Sequence, residues 1–147
     1  MENDELNKWH ERYLGLCDSI SSWSKDPSSQ IGCVIVGRNG QILSQGYNGF
    51  ARGIKDTIER YDVRSLKYRL VVHAEANAMM KVAKSTHDSN GATLYITLSP
   101  CKHCSKNILQ AGIRRVVYNK AYKDSSGLDF LKKSGILLEH IPDLKEE

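Results

Sequence analysis

No apolar run in this 147-residue sequence is long enough to cross a bilayer as a helix. None follows the opening Met1-Glu2-Asn3-Asp4-Glu5, so no secretory leader is expected. Internal repeats, low-complexity tracts and linker-like segments are missing too, which points to a single domain over 1–147. There is no phosphate-cradling P-loop. Cysteine is scarce: Cys17, Cys33, Cys101 and Cys104, with none between Cys33 and Cys101. The expected location is cytoplasmic, where thiols stay reduced and a CxxC pair binds metal or reacts before it forms a disulfide. Cys17 and Cys33 lie in apolar segments and read as small buried hydrophobes.

Hydrophobic residues make up 40% of the chain, so disorder is not the default reading. The net charge of +4 fits a mixed, solvated surface better than a polyanion-binding face. It permits a phosphorylated substrate, and no stable nucleic-acid partner or membrane association is expected.

Leu6, Trp9, Tyr13, Leu16, Cys17 and Ile20 recur at helical steps and predict an amphipathic helix. That helix should stop before Ser24-Lys25-Asp26-Pro27, because proline and the residue before it resist helix. Ile31–Val36 reads as a strand, Asn39-Gly40 as a hairpin turn, and Gln41–Tyr47 as the partner strand. Asn48–Val72 is the least regular stretch; its length suggests a functional segment, partly helical over Thr57–Leu70. Beyond it come a helix from His73 to Lys84, a strand over Thr93–Thr97, and a helix from Cys101 with Gly112 at its end. A strand over Ile113–Tyr118, a helix capped by Asp124 or Ser125, and a strand over Ile136–His140 complete the order. The tail, 142–147, reads as frayed. This α-β-β-α-β-α-β-α-β order predicts an α/β layered fold with a mixed sheet.

Two short motifs carry the chemistry. His73-Ala74-Glu75 supplies an imidazole and a carboxylate, and Pro100-Cys101-Lys102-His103-Cys104 supplies two thiols. Zinc prefers nitrogen and thiolate sulfur. Cys101 and Cys104, three apart at a helix start, face one way and gain from the helix dipole. A structural zinc normally has four protein ligands, whereas a catalytic one keeps a position open for water. Three ligands with a spare glutamate therefore favour catalysis, with Glu75 as the general acid/base beside the open position. A closed structural zinc and a thioredoxin-like dithiol are the alternatives, and the latter leaves His73 and Glu75 without a task. His103 reads as a surface residue, and His10, His87 and His140 have no ligand-like spacing.

Together the two halves match the H-x-E…P-C-x-x-C signature of zinc deaminases. From Ser24 to Ile141 the chain resembles the zinc-dependent cytidine/deoxycytidylate deaminase superfamily, and its deoxycytidylate branch more closely. The supporting segments are Ser24-Lys25-Asp26-Pro27, Gln30-Ile31-Gly32, Gly46-Tyr47-Asn48-Gly49, His73 to Ala78, Leu94 to Cys101, and Gln110-Ala111-Gly112-Ile113. The resemblance implies a three-layer α-β-α, cytidine-deaminase-like fold with a five-stranded mixed sheet. It implies hydrolytic loss of ammonia from C4 of dCMP, giving dUMP for thymidylate synthesis. His73, Cys101 and Cys104 would hold one zinc per chain, Glu75 would move protons, and the backbone N–H groups of Ala74 and Cys101 would orient base and water. Asn48 would contact the sugar, although Asn48-Gly49 also reads as a simple turn. Ser24, Lys25, Tyr122 and Lys123 are candidates for the substrate phosphate, each against an ordinary loop role. The resemblance further implies a homo-hexamer, activated by dCTP and inhibited by dTTP, with Mg2+ on the triphosphate and Gly49, Gly53 and Asp56 in that regulatory pocket. A tRNA adenosine or guanine deaminase and a non-enzymatic zinc module remain open as alternatives.

Overall fold

The structure is a computed structural model that describes residues 2–142, so the expected frayed tail lies outside the described residues except for Pro142. Helix α1, Glu2–Ser21, forms as expected, but its buried face is shifted: Leu14, Cys17 and Ile20 are buried and Tyr13 packs against them, whereas Leu6, Trp9 and Leu16 of the expected face are exposed. Strands β1, Gly32–Val36, and β2, Ile42–Tyr47, form the expected hairpin around Gly40, whose φ of 83° is the left-handed conformation a tight turn demands. A register shift between Ile35 and Val36 marks a bulge in that hairpin.

The irregular stretch is more ordered than its sequence suggests. It contains β3, Gly49–Phe50, α2, Ile58–Asp62, α3, Arg64–Leu70, and β4, Val71–Val72, with β3 and β4 paired as a small ribbon. The remaining elements are α4, Ala74–Ala83, β5, Thr93–Leu98, α5, Lys102–Gln110, β6, Arg115–Lys120, α6, Ser126–Lys133, and β7, Leu137–His140. Strand β6 starts two residues later than the apolar run suggests, because the Ile113 N–H turns back to the Ile108 carbonyl and closes the helix end.

The main sheet has the order β2-β1-β5-β6-β7. Strand β1 is antiparallel to both neighbours, whereas β5, β6 and β7 run parallel, so the sheet is mixed. Every residue of β1 is buried, as expected of a strand covered on both faces. Alternation then divides the core in two. Val34, Val36, Tyr95 and Val117 pack beneath α1, while Cys33, Ile35, Leu94, Ile96 and Val116 meet Ala78, Ile108 and Leu131 from α4, α5 and α6. Same-handed crossovers from β5 to β6 to β7 place α5 and α6 on one side. The result is three layers, α-β-α. Cys17 and Cys33 are buried in these cores, and all four cysteines are free thiols.

Candidate metal centre and active-site cavity

The site lies at the end of the sheet where β1 begins and where β2, β5 and β6 finish. Two helices start there. His73 is the N-cap of α4, and Cys101 is the N-cap of α5, its sulfur accepting the Cys104 N–H. Two glycines allow this convergence. A Cβ on Gly46 of β2 would lie 2.4 Å from the Ala74 carbonyl oxygen, so only glycine lets α4 rest directly on the strand. A Cβ on Gly127 of α6 would lie 2.1 Å from the Pro100 carbonyl oxygen, the turn that presents Cys101.

The three expected ligands meet. His73 Nδ1 stands 3.4 Å from Cys104 Sγ and 3.7 Å from Cys101 Sγ, and the three donor atoms lie within 4.8 Å of one another. Zinc bonds of about 2.3 Å to sulfur and about 2.0 Å to nitrogen, at tetrahedral angles, set sulfur about 3.5 Å from nitrogen. The donor set and its spacing therefore fit zinc. Hydrogen bonds from Cys104 and His73 hold the Cys101 thiol well below the usual range. That shared proton pushes Cys104 up, with burial adding to it. The hydrogen bond to Cys101 likewise raises His73. A divalent cation competes with these protons for the same three atoms. His103 is exposed, as expected.

Glu75 is buried, 4% exposed, and belongs to the first turn of α4. Burial pushes its carboxyl up to about 7, against the opposing pull of its own backbone N–H and of His73. A carboxyl poised near neutrality suits a group that must both take and give a proton.

His73, Glu75 and Cys101 open onto a cavity of about 430 Å³. One wall is the loop from Asp26 to Ser29, with Ile31 and Asn48 behind it. The segment after β2 adjoins that loop and contributes Tyr61, Arg64, Lys67 and Tyr68 to the lining. Leu98, Ser99 and Tyr122 close the third side. Tyr122 is half exposed and donates its N–H to Ser99 Oγ at 2.8 Å.

Asn48 is no turn residue: it is buried in the link between β2 and β3, and among the described residues only glycines take positive φ. Its Oδ1 accepts the Ile31 N–H at 2.8 Å, and its Nδ2 donates to the Ser29 carbonyl at 2.8 Å. Ser24 is buried with its hydroxyl donated to the Asn48 carbonyl, and it does not line the cavity. Lys25 is exposed and does not line it either. Their neighbours Ser28 and Ser29 do. Ala74 is fully buried at the α4 start, where its N–H is one of the helix's unpaired terminal donors. Asp56 lies away from the cavity lining, where its Oδ2 accepts from Tyr61 Oη and, at 3.3 Å, from the Phe50 N–H. Gly49 packs against that carboxylate, and Gly53 takes a φ of 86° with open space around it.

Sequence reasoning missed Arg64 and Lys67. Their spacing of three on a helix puts both on one face, which was the available signal.

Comparison with known proteins agrees with this geometry. A family model described as the cytidine and deoxycytidylate deaminase zinc-binding region matches residues 7–120. The deoxycytidylate deaminase of Homo sapiens is 35% identical over 130 residues, covering 84% of this chain and 72% of that protein. An uncharacterized deaminase of Aliivibrio fischeri is 34% identical over 139 residues, 95% of this chain and 88% of that one. Among solved structures, the dCMP deaminase of the cyanophage S-TIM5 in complex with dCMP and dUMP superposes with a TM-score of 0.77 at 31% identity, covering 90% of this chain and 96% of that chain. Among the described residues, no helix is long and apolar enough to cross a membrane.

Proposed function

The chain belongs to the cytidine and deoxycytidylate deaminase zinc-binding family, and from that premise we propose that it hydrolyses dCMP to dUMP and ammonia. The observation that carries the reading is one cavity holding a zinc-competent His-Cys-Cys cluster beside a buried glutamate. The human and cyanophage relatives are deoxycytidylate deaminases, which supports the choice of base and nucleotide.

His73, Cys101 and Cys104 hold one zinc. Bound there, zinc supplies Lewis acidity that makes water a nucleophile near neutral pH. Glu75 takes one proton from the attacking water and delivers it to N3 of the ring; it then takes the proton left on the added oxygen and delivers it to the amine, so that the C4–N bond breaks, ammonia leaves and the C4 carbonyl forms. One carboxyl thus serves both transfers, and its burial keeps bulk water from competing for the proton. The backbone N–H groups of Ala74 and Cys101, at two helix starts, orient the base and the attacking water. Asn48 reaches the sugar with the second acceptor site on its Oδ1, since its other groups are held by the loop. For the phosphate, Tyr122, Ser28, Ser29 and Arg64 border the cavity; Ser24 acts through Asn48, and Lys25 adds charge from outside.

The same reading extends to regulation. dCTP with Mg2+ activates and dTTP inhibits, in a homo-hexamer, through the segment that carries Gly49, Gly53 and Asp56. Its support is local: Asp56 ties β3 to α2, and α2–α3 forms a wall of the cavity. The chain acts as one cytoplasmic domain. Ammonia release assayed on dCMP, dCTP, CMP and deoxycytidine, each with and without dTTP, tests substrate and regulation together. Release from dCMP supports the substrate reading, and turnover of a tRNA stem-loop alone would overturn it.

A further inference from the structure

The cavity wall formed by the Asp26–Ser29 loop and α3 is held by a buried polar network that no catalytic step uses. Asp26, 2% exposed, is at its centre. Its Oδ1 accepts the Ser28 N–H at 3.0 Å, the Ser28 hydroxyl at 3.0 Å and the Ser29 N–H at 3.3 Å. Its Oδ2 stands 2.9 Å from Lys67 Nζ and 3.4 Å from Asn48 Nδ2. Lys67 also donates to Ser28 Oγ at 2.8 Å, with its own side chain only 14% exposed. Lys67 comes from α3, 41 residues along the chain from Asp26. Three separate segments therefore close on one carboxylate.

We infer that Lys67 is a positioning residue for substrate: through Asp26 it holds the Ser28–Ser29 loop and the Asn48 amide at the cavity wall. Two physical reasons support this. Without Lys67, Asp26 becomes an uncompensated buried carboxylate on the wall that faces an anionic nucleotide. Asn48 donates to both Asp26 and the Ser29 carbonyl, so its amide orientation follows the loop that Lys67 secures. The α2–α3 wall is attached to the substrate pocket through the same ion pair.

This rests on the dCMP reading and is tested with the zinc-loaded enzyme. Lys67→Met should raise KM for dCMP about tenfold or more, leave kcat within about threefold and keep one zinc per chain. Lys67→Arg should recover most of the KM, because it restores the charge. Adding Asp26→Asn to Lys67→Met should make KM no worse, since the two act as one unit. An unchanged KM in Lys67→Met, a fall in kcat alone, or additive losses in the double variant overturn the proposal. Wild-type enzyme inactive on dCMP overturns the substrate reading and this proposal with it; wild-type activity on dCMP with any of those variant results overturns the proposal alone.

Discussion

Replacing Glu75 with glutamine isolates the proton-transfer role. The substitution keeps the side chain's length and volume and removes only its ability to exchange a proton. Glu75 is 4% exposed, and burial already holds its carboxyl near 7, so a neutral amide costs little in folding. General acid–base catalysis by a placed side chain contributes about 10²–10⁴ in rate, or about 2.7–5.4 kcal/mol of barrier. In the proposed reaction the same carboxyl removes both protons of the attacking water and hands one to the ring and one to the leaving amine. No second carboxyl can substitute: of the other cavity carboxylates, Asp26 is paired with Lys67 and Asp62 is exposed at the rim. The loss should therefore fall in the upper part of that range, with kcat for dCMP lower by about 10³–10⁴. Ammonia release gives the rate, atomic absorption the zinc per chain, and a thermal melt the fold. A variant that keeps kcat within about tenfold refutes the role of Glu75. So does a variant that loses activity only because it has lost zinc.

Gly46→Ala places a methyl group 2.4 Å from the Ala74 carbonyl oxygen, so α4 must lift from β2 and carry His73 with it. A destabilisation of about 1–3 kcal/mol with weakened zinc retention is expected; a variant with wild-type melting and zinc content contradicts this packing. Asp26 gives a pH signature. Burial pushes its carboxyl up, but the Ser28 N–H, Lys67 and the Ser28 hydroxyl together outweigh that and hold it below its ordinary value. A carboxylate lowered in the folded state contributes stability that is full above its unfolded pKa of about 3.9 and is lost as pH falls through the lowered value. The stability difference between wild type and Asp26→Asn should therefore shrink as melts are taken from pH 7 into acid below about pH 4, and a constant difference would contradict it. If the segment after Asn48 is regulatory, dCTP and dTTP should move the initial rate on subsaturating dCMP in opposite directions; a rate indifferent to both removes that role.

The His-Cys-Cys cluster and the glutamate beside it were readable from the chain because each half is local. His73 and Glu75 are two apart, Cys101 and Cys104 three apart, and each pair opens a helix, so spacing alone fixes direction. The β-α alternation after His73 likewise reports a parallel run of strands. The wall formed by the Asp26–Ser29 loop and α3 was not readable. Its ion pair joins residues 41 apart, and neither Asp26 nor Lys67 lies in a pattern that demands a partner. The ribbon of β3 and β4 has two residues in each strand, too few to show a period. Asn48-Gly49 reads equally as a turn or as a ligand contact; only tertiary structure shows the asparagine buried and bonded to Ile31, Ser29 and Asp26. Ser24 and Lys25 share a motif with Asp26, yet the chain bends so that the following residues, Pro27 to Ser29, face the cavity.

The most direct measurement is product analysis of purified, zinc-loaded protein incubated with dCMP. Equal amounts of dUMP and ammonia should form; a chelator should abolish the reaction, and zinc should restore it. Absence of dUMP above the uncatalysed rate, or formation that persists in the metal-stripped protein, would contradict the assignment of His73, Cys101, Cys104 and Glu75 to the hydrolysis of dCMP.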